Sequence, residues 1–304
     1  MIAWLLAVVS DFAESWPLLW HGWIAGWLIA VTLALPGVLV VAREQIFIGA
    51  AVAQGSTFGV AAGMWLVAIL GQADAHGHPD SGSAIPAACA ALTGTAAALA
   101  ISAGRRTGRG SPESRTGWIW LASSAGTVLL LSSSPHGAHG IERLIASSLL
   151  GAGTGDAWLF AVLASATLTL ALALRRPLTV LAIDPALAPL VGIDRRWWEP
   201  AIAIWLGLCI GLAIRVSGLL FTFGCLVLPA LAARGLCREV RSQFLVAPAL
   251  ALVAGVAGFA VANHHDLPPA QVAVGMLCAI PLLTGAIGWV RGIAGRRPTL
   301  GCRP

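Results

Sequence analysis

Residues 38–59 read VLVVAREQIFIGAAVAQGSTFG: an apolar run, a charged turn at Arg43-Glu44, and a second apolar run opening on small residues. Working outward in both directions, the same alternation fills the chain. Apolar runs continue for about 20 residues, the length an α-helix needs to cross a hydrocarbon core. Of the 304 residues, 58% are hydrophobic and only 10% charged, against about a quarter charged in soluble domains. The reading is an all-α polytopic membrane protein. Hydrophobic runs predict nine spans, roughly 17–42, 47–71, 84–104, 117–134, 156–174, 199–214, 217–235, 243–263 and 270–290.

Charge placement orients these spans. All 18 basic residues are arginine, and 16 of them fall in alternate connections, Arg143 and Arg215 being the exceptions. Those connections should be cytoplasmic, as at Arg43, Arg105, Arg175, Arg195, Arg234 and Arg291. The others carry the histidines and should face outward. The N-terminus is then outside and the C-terminus inside a plasma (bacterial inner) membrane. Residues 1–16, with Asp11 and Glu14 among Trp4, Phe12 and Trp16, read as an interfacial segment. Residues 17–294 form the membrane domain and 295–304 a cytoplasmic tail. The tryptophans at span ends form an interfacial belt.

Several chemistries are excluded by what is missing. Without lysine the chain cannot build a Gly-Lys-Ser/Thr phosphate loop. Ionisable groups are nearly absent within the spans, which speaks against a proton-coupled carrier and an intramembrane hydrolase. The six cysteines form no CxxC pair and read as small core residues. The net charge of +5 reflects loop arginines and implies no nucleic-acid partner.

The long connection 175–198 holds LAIDPALAPLVGIDRRWW. Asp184-Pro185 predicts a helix start, Leu187, Leu190 and Val191 share one face, and Gly192 predicts its stop. Such an amphipathic segment on the cytoplasmic face suits docking of a soluble partner.

Three segments, the last in two parts, together resemble the permeases of ATP-binding-cassette importers for zinc, manganese and iron. VLVVAREQIFIGAAVAQGSTFG is similar to the family's apolar span, Arg-bearing turn and Gly-Asp-Ala-x-x-His-x-x-x-Pro-Gly. DPALAPLVGI, 184–193, matches Asp-Pro-x-x-Ala-x-x-x-Gly-Ile. GLLFTFGCLVLPALAARGL, 218–236, and NHHDLPPAQVAVG, 263–275, resemble the later Gly-x-Leu-Leu…Pro-Ala and Asp-x-Pro-x-Gly segments. The resemblance implies a fold like the vitamin B12 and siderophore importer permeases. It also implies two cytoplasmic ATPases, a second permease (identical or related), an external solute-binding protein, and a divalent metal as cargo, zinc or manganese favoured. No cofactor would be held permanently, and ATP hydrolysis would belong to the separate ATPase. The coupling contact to that ATPase would fall on Asp184, Pro185, Ala188, Gly192 and Ile193.

Departures qualify the cargo. The family's aspartate falls at Ala50, its histidine at Gln54 and its proline at Phe58, while Gly49, Ala51 and Gly59 keep the pattern. Alanine offers no donor atom, and an amide oxygen is a weak, neutral ligand preferring hard cations. The glycine after Asp266-Leu267-Pro268 is replaced by Ala270. Two readings of Gln54, Ser56 and Thr57, with Gly49 and Gly59, stand side by side: a polar path wall, or close helix packing. A metal chelate or small organic solute is an alternative cargo, and a non-transporting scaffold an alternative role. His76, His78, His136, His139, His264, His265 and Asp266 share the outer face and would gather metal there if their loops converge.

Overall fold

The computed structural model describes residues 2–70, 84–107, 111–132, 149–237 and 239–295. Among these, nine α-helices and no β-strand occur: α1 Ile2–Ala42, α2 Ile46–Ile69, α3 Ile85–Thr107, α4 Pro112–Ser132, α5 Thr154–Ala173, α6 Arg175–Ile183, α7 Arg195–Leu236, α8 Val240–His264 and α9 Pro269–Gly295. Short 3-10 turns sit at Leu149–Gly151 and Ala188–Val191. Six helices (α1, α2, α3, α5, α7 and α8) are long and apolar enough to cross a membrane, and Pro269–Leu283 of α9 is a shorter apolar stretch. The protein is an integral membrane protein.

α7 has 42 residues, about 63 Å if straight and twice the depth of a bilayer. Both of its ends nevertheless lie beside the same α1–α2 turn. Glu199 lines a pocket with Arg43 and Gln45, and Arg234 binds Glu44 at 3.0 Å and the Val41 carbonyl at 3.2 Å. The chain therefore doubles back, at Gly218, whose φ of 72° and ψ of 175° are open in practice only to glycine. The Ser217 and Thr222 hydroxyls hydrogen-bond across the reversal at 2.9 Å. The two limbs, residues 195–217 and 219–236, correspond to the expected spans 199–214 and 217–235.

α1 is bent as well. A straight helix would separate Phe12 from Trp27 by about 22 Å, yet their ring centroids are 6.3 Å apart, and Phe12 stacks on Trp23 at 4.1 Å. Pro17 lies within this stretch; it removes a ladder donor and crowds the preceding turn. Residues before it fold over the end of the bundle, where Asp11 meets His264 at 2.6 Å.

Contacts give the remaining directions. α2 and α3 run antiparallel, with Gly55 against Ala97 and Gly63 against Pro86. α3 and the first limb of α7 do the same through Gly207 on Thr95 and Gly211 on Ala91. Asp156, at the start of α5, pairs with Arg215 beside the reversal, while Thr167 lies near Cys209. α1 and α8 are antiparallel, Gly26 meeting Phe259 and Trp27 meeting Gly255. Counting both limbs of α7, the described helices make nine passes between the two ends of the bundle. One end carries Arg43, Arg175, Arg195 and Arg234; the other carries the α7 reversal and His264.

The connection after α5 differs from expectation. Helix starts at Arg175, ahead of Asp184, and ends at Ile183. Asp184 is extended, and its carboxylate accepts the Ala186 amide at 2.8 Å. Pro185 and Pro189 lack amide donors for a longer ladder, so only one 3-10 turn forms. Gly192 ends it as expected, with φ 76°, while Ile193 donates to the Ala188 carbonyl at 2.9 Å.

Candidate translocation surface and docking segment

The two faces of α2 are built differently. Gly49, Gly55, Ser56, Thr57 and Gly59 are buried. A Cβ at Gly49 would sit 2.5 Å from Leu226, and one at Gly59 2.5 Å from the Cys89 carbonyl and 2.7 Å from the Ala90 Cα. Ser56 lies against Gly94, where a Cβ would collide with its hydroxyl. Ser56 donates to the Val52 carbonyl at 3.0 Å and Thr57 to the Ala53 carbonyl at 2.9 Å, so both donors are satisfied within the helix. Four of these residues therefore sit in seams: Gly55, Ser56 and Gly59 against α3, Gly49 against α7.

Gln54 differs from them. Spaced at i, i+4 and i+8, Ala50, Gln54 and Phe58 fall on one helix face, and all three are only half-buried. Phe47 below and Trp65 above extend the stripe as exposed aromatics. Ala50 and Gln54 thus lie on single-chain surface that is left partly open, while the Phe58 ring beside them packs against Gly126 of α4. The Gln54 amide makes no hydrogen bond among the described residues and is available to whatever closes that surface.

At the arginine-bearing end, Arg43 donates to the Leu181 carbonyl at 2.9 Å and ties the α1–α2 turn to α6. Glu199 is buried and held by Arg195 at 2.5 Å. Sequence reasoning missed Glu199 and the Arg234–Glu44 pair; the Arg195/Glu199 spacing of four is the signal that could have found the first. Below them Ala188 is buried, and Ile183, Leu187, Leu190, Val191 and Trp197 stand exposed around it. Asp184 closes a turn, Pro185 and Pro189 stiffen it, and Gly192 lets the chain leave at positive φ. Asp194 then caps α7, accepting the Arg196 amide at 2.9 Å. The result is a rigid apolar knob projecting from the bundle.

At the opposite end, His76, His78, His136 and His139 lie outside the described residues. His264 is engaged with Asp11, and its ring meets Trp4 and His265 edge-on at 6.2 and 4.8 Å. His265 and Asp266 are exposed, the latter at φ 51°. Among the described residues no three His, Cys, Asp or Glu side chains come together as a metal site. Asp11 is a partner that sequence reasoning did not give to His264; nothing in local spacing links residues so far apart.

Known proteins supply the context for this geometry. The chain resembles the solved structure of PsaBC from Streptococcus pneumoniae in complex with Fab, at 17% identity and TM-score 0.74, covering 91% of this chain and 95% of that one. A second structure, described as a metal-chelate type ABC transporter in an inward-facing conformation, matches at 16% identity and TM-score 0.68, covering 88% and 84%. At such identities the likeness establishes the fold alone, one shared with both structures. No curated protein sequence matches the chain. The profile of the ABC 3 transport family matches residues 15–287, nearly the whole chain, and the protein belongs to that family.

Proposed function

We propose that this chain is the membrane-spanning subunit of an ATP-driven importer for a divalent transition metal, zinc or manganese favoured. The observation that carries the proposal is the family match over residues 15–287, on a fold shared with PsaBC. In this reading each part has a role. A second permease covers the open stripe of α2, so that Ala50 and Gln54 face a path between two subunits. The knob at 184–193 fits a groove on a cytoplasmic ATPase, one per permease, and its rigid turn, tied through α6 and Arg43 to the α1–α2 turn, passes the ATPase movement to α2. ATP hydrolysis resides in that partner. An external solute-binding protein delivers cargo to the face opposite the arginines, which places the N-terminus outside and the arginines in the cytoplasm.

A cargo passing Ala50 and Gln54 meets neither carboxylate nor imidazole, so the path would conduct metal without holding it tightly. The same two residues favour a second reading, a metal chelate whose ligands already satisfy the ion. Uptake of radioactive zinc and manganese into vesicles holding the assembled complex tests the first. ATP-dependent accumulation of either ion supports it; accumulation only of a chelated form selects the second.

A further inference from the structure

One pocket outside the α2 surface and the docking knob joins a cationic rim to apolar walls. It has a volume of about 330 Å³ and lies where α5 passes into α6 beside the start of α8. Arg175, Arg176 and Arg241 form its rim; Leu168, Leu172 and Leu245 form its walls. Leu35 and Phe244, both buried, close its floor. All three arginines are exposed, and among the described residues no carboxylate lines the pocket.

These arginines differ from others on the protein. Arg195, Arg215 and Arg234 each pair with a carboxylate, and Arg43 binds a carbonyl. Among the described residues, Arg175, Arg176 and Arg241 have no side-chain partner. They converge from two helices at the level where the spans end, the depth of lipid headgroups. Leu168, Leu172 and Leu245 are exposed and continue from that rim along the hydrocarbon-facing side of α5 and α8. The Ser242 hydroxyl is already committed to the Glu239 carbonyl at 2.7 Å, so recognition falls to the guanidinium groups.

We propose that this pocket binds an anionic phospholipid. The phosphodiester is held by the forked donors of Arg175, Arg176 and Arg241, which suit phosphate oxygens, and one acyl chain lies along Leu168, Leu172 and Leu245. A free phosphate would leave the apolar walls unused. An acidic patch on a partner protein would meet the rim but not the leucines facing hydrocarbon. Because α6 leads directly into the docking knob, a lipid seated here braces the root of that segment.

The test is thermal unfolding of the full chain in neutral detergent, titrated with phosphatidylglycerol, phosphatidylethanolamine or glycerol 3-phosphate. Phosphatidylglycerol alone should stabilise the protein. Its apparent affinity should fall about fivefold for each arginine removed, on the order of a hundredfold for Arg175→Ala/Arg176→Ala/Arg241→Ala. The triple lysine variant, which keeps the charge but loses the fork, should bind more tightly than the alanine triple and more weakly than the wild-type chain. Should the alanine triple not fold, Leu168→Gln/Leu245→Gln carries the test, since it should weaken phosphatidylglycerol binding with the arginines intact. Equal stabilisation by glycerol 3-phosphate or by phosphatidylethanolamine would overturn the proposal, as would undiminished phosphatidylglycerol binding by the alanine triple. Loss of a co-purifying ATPase from that triple with lipid binding intact would make the pocket a protein interface instead.

Discussion

α2 presents two faces of similar composition and opposite fate. On one, Gly55, Ser56 and Gly59 meet α3 so closely that an added methyl group collides with backbone or a short side chain. On the other, Ala50 and Gln54 are equally small or polar, yet this chain's described residues bury them only in part. Small residues in a membrane helix permit close approach, but composition does not say to what. The packed face is explained by the chain's own fold. The open face is the one the proposed function gives to a second permease and the path between them, and on that proposal the difference separates residues that hold the subunit together from residues that meet cargo.

The packed face can be broken most severely by bulk. Gly59→Leu should destabilise the protein by about 3 kcal/mol, read by thermal unfolding in detergent; wild-type stability would mean a looser α2–α3 seam than the contacts require. The returning limb of α7, which meets Gly49 of α2 through Leu226, depends on the Gly218 reversal. Gly218→Ala should cost about 1–3 kcal/mol, because its φ and ψ suit glycine alone. On the open face the readout changes. Gln54→Leu should leave stability within about 0.5 kcal/mol while slowing ATP-dependent uptake about tenfold, equivalent to about 1.4 kcal/mol on the barrier. Normal uptake at normal expression would return Gln54 to a packing role. A methyl group added at Gly117 would have no heavy atom within 4 Å, so Gly117→Ala should change stability and uptake least, within about 0.5 kcal/mol in unfolding.

Much of the fold is legible because lipid demands one answer: long apolar helices whose backbone groups are satisfied internally. The nearly fused runs at Arg215-Val216-Ser217 read as two spans, and the reversal at Gly218 makes them two. The close seams are legible in part. Gly55, Gly59 and Gly63 repeat every four residues, as do Gly207 and Gly211, a spacing that puts each set on one helix face. Which helix each set meets depends on tertiary arrangement and has no local signature. The connection at 184–193 shows a different limit. Gly192 reads as a stop and is one, but two prolines hold the segment to a 3-10 turn, and the α-helix begins upstream at Arg175. Pro177, tolerated in a first turn, is the sign of that start in the sequence. The open stripe is least legible, since burial by a partner leaves no mark that distinguishes it from burial within the chain.

Thiol accessibility in the assembled complex tests the two-faced reading of α2 most directly. In a background freed of its native cysteines, Gln54→Cys and Ser56→Cys would each be exposed to a membrane-impermeant maleimide with and without ATP. The account predicts that Gln54→Cys is labelled at a rate that changes with nucleotide, while Ser56→Cys stays inert in both states. Equal labelling of the two positions, or no labelling of Gln54→Cys in either state, would contradict it.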